Sequence, residues 1–181
     1  YTNFLKTRQG GTSLAISIAN TDLVTKMINK KNIQFVYESN KVWQTIEPEK
    51  ADLFFIEYAN KNWNENPKNT THSNTASSLT AIYILTDSIE TVIKKYYTLG
   101  ITEAESGKYL ETPYKLFKIG KSNLYLLDGA KSSKIKQLLN SPNLNGICGF
   151  QVKVNSLQTF NQLVKQKSNV NYIKNSTTIY L

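Results

Sequence analysis

The chain is poor in the residues that most often carry chemistry. Its 181 residues include one cysteine, one histidine and one arginine. A lone Cys148 forbids an internal disulfide, and between Ile147 and Gly149 it reads as a small buried apolar residue. A thiol nucleophile needs a base beside it, yet the sole histidine, His72, lies in a polar stretch. No glycine-rich phosphate loop is present, and no serine sits in a nucleophile elbow. No apolar run approaches the roughly 20 residues needed to span a bilayer, so no membrane span is expected.

Arginine supplies the bidentate forks that read bases and clamp phosphates, and only Arg8 is available. The formal charge of +9, from 22 basic against 13 acidic residues, is therefore almost entirely lysine. The lysines are scattered, with no block longer than a pair, which describes a solubilising surface. Only nonspecific phosphate attraction remains, so no specific nucleic-acid partner is expected. The chain begins at Tyr1 and carries no signal peptide. The expectation is that an N-terminal piece has been removed, which leaves a cytoplasmic and an exported soluble protein equally open.

What is present is a recurring unit. Ser78 to Gly100 reads as one strand feeding one helix: Leu79 to Leu85 is apolar and β-branched, and Thr86-Asp87-Ser88 supplies cap residues. Glu90 falls in the first helical turn, where the dipole favours it, and Gly100 is a natural stop. Similar stretches run from Leu14 to Lys31 and from Gly149 to Lys167. Aligning Asp22, Asp87 and Ser156 gives spacings of 65 and 69 residues. These are too long for a solenoid repeat and leave room for strands after each helix.

Those strands divide the chain. Gln34 to Glu38, Val42 to Ile46 and Asp52 to Tyr58 follow the first helix through turns at Ser39-Asn40 and Glu47-Pro48, so residues 1–60 read as a βαβββ module. Residues 61–77 are nearly all polar, contain Pro67, and read as a linker pinned by Trp63. Residues 78–181 read as two further βαββ-type modules. In the first of these, 101–113 is loop-like, with a short strand near Lys108 to Leu110. The hairpin of Tyr114 to Ile119 with Asn123 to Leu127 and a helix from Ser132 to Asn140 come next. The predicted class is α+β, with tandem modules whose curled mixed sheets form a cleft.

Alternation along Asp52 to Tyr58 puts Leu53, Phe55 and Glu57 on one face. A carboxylate beside apolar groups is a candidate acid or base, and Glu57 is the candidate catalytic residue; at a strand end it equally serves as a solvent contact or lysine partner. On the adjacent strand, Trp43 and Thr45 share one face and Gln44 takes the other. If Trp43 shares a cleft with Glu57, the two make an aromatic wall with one polar anchor. The candidate ligand-binding residues are Trp43, Thr45, Phe55 and Tyr83.

Three such units in tandem resemble the vicinal oxygen chelate (glyoxalase/bleomycin-resistance/dioxygenase) superfamily. The segment L-F-F-I-E-Y at 53–58, the polar proline-bearing linker, and the restart at S-L-T-A-I-Y-I look like a glyoxalase-like domain protein. The resemblance implies paired modules around a cleft and, in the metal enzymes, His, Gln or Glu ligands on first and last strands. Here those strands offer Ser17, Thr80, Tyr83 and Gln151, and only Glu57 has suitable chemistry. No metal ligand is therefore assigned and no cofactor is expected, unless ligands lie outside this chain. An odd number of modules implies a partner module, supplied by a preceding segment or by a second chain, so a homodimer is among the expected assemblies. The readings in contention are a binder of a small molecule or protein partner without metal catalysis, an isomerase or lyase with Glu57 as acid/base, and a basic homo-oligomeric interaction module.

Overall fold

A computed structural model describes residues 13–49, 51–60, 62, 72–73, 75–140, 145–165, 171–172 and 178–180. The lead-in with Arg8, most of the linker with Trp63 and Pro67, and the break at Pro142 lie outside the described residues.

The first unit is a four-stranded sheet. Strand β1 (Leu14–Ser17) leads into helix α1 (Thr21–Lys30), followed by β2 (Phe35–Ser39), β3 (Trp43–Pro48) and β4 (Leu53–Tyr58). The sheet order is β1-β4-β3-β2, and β1 and β4 are parallel, with Leu14 opposite Leu53 and Ser17 opposite Ile56. This is the predicted βαβββ arrangement. The parallel closure needs a crossover, which α1 and the β2–β3 hairpin supply.

The second sheet has seven strands. Strand β5 (Ala76–Thr86), helix α2 (Ile89–Thr98), β6 (Glu103–Tyr109), β7 (Thr112–Ile119) and β8 (Ser122–Asp128) repeat the same plan, with β5 parallel to β8. A 3₁₀ turn at Gly129–Lys131 and the short helix α3 (Ser133–Leu138) lead on to β9 (Gly146–Val154). Helix α4 (Leu157–Lys165) and strands β10 (Asn171–Tyr172) and β11 (Thr178–Tyr180) complete the described chain. The order is β10-β11-β9-β5-β8-β7-β6, with β9 antiparallel to β5.

Three sequence expectations are corrected here. The polar stretch Glu-Ala-Glu-Ser-Gly-Lys-Tyr is a full edge strand, β6, so the second module is βαβββ rather than βαββ. Its side chains are mostly exposed, so no burial pattern betrays it. The linker ends earlier than 77, because β5 starts at Ala76. The helices begin at Thr21, Ile89 and Leu157 and are preceded by Asn20, Ser88 and Ser156. Asn20 Oδ1 accepts from the Leu23 amide at 3.2 Å and Ser156 Oγ from the Thr159 amide at 3.2 Å, so the working caps are not Asp22 and Asp87.

One core joins the two sheets. Leu14, Ile16, Ile28, Ile46, Leu53 and Phe55 of the first unit pack with Ile84, Ile93, Tyr96, Leu99, Phe117, Leu124 and Leu126 of the second. The helix-bearing faces of both sheets are therefore turned toward each other. Lys31 Nζ donates to the carbonyl of Thr98 at 2.7 Å, so a cation just past α1 satisfies the carbonyl end of α2. Gly100, at φ +78, closes α2 where an added Cβ would meet Met27 Sδ at 3.2 Å. On the opposite face of the larger sheet, Ala81, Tyr83, Leu85, Leu127, Cys148 and Ile135 form a second core. Cys148 is fully buried, as its sequence setting predicts.

Tyr96 is buried at this junction, and burial, with Asp52 nearby, holds its phenol above the ordinary tyrosine value. The folded state thus keeps a proton that the unfolded chain releases above about pH 10. The stabilisation is complete below that pH and is lost as pH rises further toward the folded value. Urea unfolding at pH 8 and pH 11 is expected to show a fall in stability that is shallower in Tyr96→Phe. Parallel declines in the two proteins would remove Tyr96 as the cause.

Candidate functional site

The two faces of the four-stranded sheet carry different chemistry, and the β3–β4 register decides which residue goes where. Trp43 pairs with Tyr58, Gln44 with Glu57, Thr45 with Ile56 and Ile46 with Phe55. Side chains of directly opposed residues share a face. Glu57, Phe55, Leu53, Gln44 and Ile46 therefore project to the helix side, and Trp43, Thr45, Ile56 and Phe54 to the other. The conditional pairing of Trp43 with Glu57 in one cleft is corrected: they stand on opposite faces.

On the helix side, Glu57 meets the start of α1. Its Oε2 accepts the Thr21 backbone N–H at 2.8 Å, one of the amides that a helix leaves without an internal partner. The Thr21 hydroxyl lies 2.6 Å from Gln44 Oε1 and 3.1 Å from the same Glu57 oxygen. Thr21 is buried, so this is a shielded polar knot at the positive end of the helix dipole. The geometry comes from the parallel β1–β4 pair. Glu57 is one residue beyond the partner of Ser17, so it reaches the point where the chain leaves β1 for α1. Phe55 is buried among core residues beneath it.

Tyr83 lies in the other sheet. It is 3% exposed, and its ring stacks on Tyr109 and on Tyr125, each at 4.9 Å between centroids. Tyr114 adds an edge contact to Tyr125 at 5.1 Å, and its hydroxyl donates to Glu105 Oε1 at 2.8 Å. That bond holds the Tyr114 phenol above its ordinary pKa. Of these four tyrosines the sequence singles out only Tyr83. It had no means of seeing four of them meet, because that requires the β5-β8-β7-β6 order. Gly107 belongs to the same arrangement: a Cβ there would come within 2.8 Å of the Tyr114 hydroxyl, so Tyr114 crosses the sheet only because position 107 has no side chain.

The face of the four-stranded sheet away from the helix is different. Val36, Glu38, Trp43, Thr45, Glu47, Phe54 and Ile56 line a hollow of about 360 Å³. Trp43, Thr45, Phe54 and Ile56 are half-buried at its floor, and Val36, Glu38 and Glu47 are exposed at its rim. Two of the predicted ligand-binding residues, Trp43 and Thr45, therefore come together here. Phe55 and Tyr83 are elsewhere.

The superfamily resemblance implies a divalent metal, and the side chains around Glu57 do not fit one. Glu57 accepts from the α1 amide and lies 3.1 Å from the Thr21 hydroxyl, and neither group is a metal ligand set. Among the described residues, no three of His, Cys, Asp and Glu converge.

Thr21→Val keeps the side-chain shape but removes the hydroxyl, leaving Gln44 and Glu57 without that donor. A loss of about 1–2 kcal/mol in urea unfolding is expected. Glu57→Gln is expected to cost up to about 1 kcal/mol through the lost charge at the helix start. Neither change should alter the hollow on the other face, which the Trp43 indole signal in a ¹H–¹⁵N spectrum would monitor.

No protein-family model matches the chain, and no curated protein does. Solved structures do. A hypothetical protein from Staphylococcus aureus superposes with a TM-score of 0.50 at 8% identity, over 64% of this chain and 51% of that one. The chain thus spans about half the length of that protein. A glyoxylase/bleomycin resistance protein/dioxygenase domain from Frankia sp. EAN1pec matches with a TM-score of 0.41 at 8% identity, covering 66% of this chain and 97% of the other. Methylmalonyl-CoA epimerase from Mycobacterium tuberculosis matches with a TM-score of 0.42 at 15% identity, over 56% and 72%. At 8% identity the likeness to the Staphylococcus aureus protein is one of fold alone, an α+β arrangement.

Proposed function

We propose that this protein binds a small molecule on the open face of its four-stranded sheet, without a resident metal. The observation that carries the reading is the hollow itself: an indole, a phenyl ring and a branched aliphatic floor left uncovered by the fold, with the Thr45 hydroxyl among them. Pockets of this kind join apolar area to a few polar groups that fix orientation. The core needs none of these side chains, because Leu53, Phe55 and Ile46 already fill the helix side. Exposed apolar area concentrated on one sheet face is what a binding site leaves when empty of its ligand.

The acid/base reading of Glu57 has less support. A general acid or base must reach the proton it moves, and Glu57 is engaged with the first amide of α1 on the opposite face from the hollow.

A fragment screen by ligand-observed NMR tests the proposal. Hits are expected to shift the Trp43 indole and the Ile56 methyl resonances, and Trp43→Ala to weaken them about tenfold or more through lost aromatic contact. A second hollow of about 380 Å³ lies between Ile33, Pro48 and Ala51 of the first unit and Thr91, Lys95 and Leu99 of α2 and its end, and hits that map there instead would overturn the proposal.

A further inference from the structure

The charge around the hollow points to a ligand class. We infer that the site selects small organic cations, an ammonium group on an apolar body; this rests on the hollow being the binding site. Glu38 and Glu47 both line it. Glu38 is paired with Thr45 and Glu47 with Val36, so the two carboxylates occupy diagonal positions across the β2–β3 ladder. Diagonal side chains stand about 7–8 Å apart, a spacing one ammonium group bridges with both carboxylates in contact range. Trp43 is on the same face, one position along from Thr45's, and indole is the best aromatic partner for a cation.

What sets these two carboxylates apart is that both line one hollow. Lysines outnumber acids, and four carboxylates elsewhere are paired: Glu103 with Lys115, Asp128 with Lys131, Glu111 with Lys134, Asp87 with Lys136. Among the described residues, neither Glu38 nor Glu47 is held in an ion pair. Among the described residues, no lysine lines the hollow. Two like charges facing one aromatic floor, unneutralised in a chain of +9, are complementary to a cation and repel an anion.

The test is a charge series of similar shape: phenethylammonium, 2-phenylethanol and 3-phenylpropanoate, titrated while following the Trp43 indole resonance. Phenethylammonium is expected to bind about tenfold or more tightly than the alcohol, and the carboxylate more weakly than either. In Glu38→Gln/Glu47→Gln the cation should fall to within about twofold of the alcohol, whose own affinity stays unchanged. Both positions are exposed, and circular dichroism checks the fold; the two single variants serve if the double does not fold. Raising salt from about 0.05 to about 0.5 M should weaken the cation alone. Equal binding of cation and alcohol at Trp43 would overturn the charge inference and leave the binding proposal standing. Failure of all three to move Trp43, while screening hits map there, would overturn the cation class. If nothing maps there, the binding proposal falls with it.

Discussion

Strand β5 is the constraint on which the architecture depends. It pairs with β8 on one side and β9 on the other, in parallel and antiparallel sense respectively. Its alternate side chains enter both cores, Ala81, Tyr83 and Leu85 on one face and Ile82 and Ile84 on the other. A strand buried on both faces needs a continuous apolar run, and Ala-Ile-Tyr-Ile-Leu supplies it. Because Ile84 shares a core with Leu14, Leu53 and Ile28, the same strand fixes where the first unit docks. Deleting burial on the Ile82 and Ile84 face of β5 would loosen two sheets at once.

The first unit divides its labour between faces. On one, α1 covers the sheet and Glu57 ties the helix start to the last strand. On the other, no element among the described residues has an aromatic or aliphatic set of its own placed against Trp43, Phe54 and Ile56 in the core clusters. The β-period of two sorts the residues without exception here. Shifting β4 by one residue would send Glu57 to the indole and Phe54 into the core. Parallel pairing with β1 prevents that slip, since Leu14 and Ile16 must meet Leu53 and Phe55. The polar knot and the open aromatic face are thus two consequences of one register.

Much of this was legible in the sequence, for reasons of local physics. Strand–helix units with apolar periodicity and nearby cap residues announce themselves, and all three appear where expected. The βαβββ order of the first unit follows from the turn at Ser39-Asn40 and a second one expected at Glu47-Pro48-Glu49-Lys50, although Glu47 and Pro48 themselves continue β3 opposite Val36 and Phe35. What failed depended on partners remote in sequence. Strand β6 exists because β7 offers it a ladder, not because Glu-Ala-Glu-Ser-Gly-Lys-Tyr prefers extension. The Tyr83 stack needs four strands in order. For Glu57 the sequence offers an acid or base, a solvent contact or a lysine partner, and not the contact that it makes. That Glu57 holds a helix amide 36 positions earlier is information only the parallel pair contains.

The overall charge and the charge of the hollow oppose each other, and distance decides between them. A net +9 repels a cation at long range, yet at physiological salt fields fade within about 8 Å. Among the described residues no lysine lines the hollow, whereas Glu38 and Glu47 line it together with Trp43. The near carboxylates therefore set the equilibrium preference, and the distant lysines slow the approach. Two carboxylates that share an aromatic floor, and that pair with no lysine among the described residues, are better placed to meet a visiting cation than a resident one.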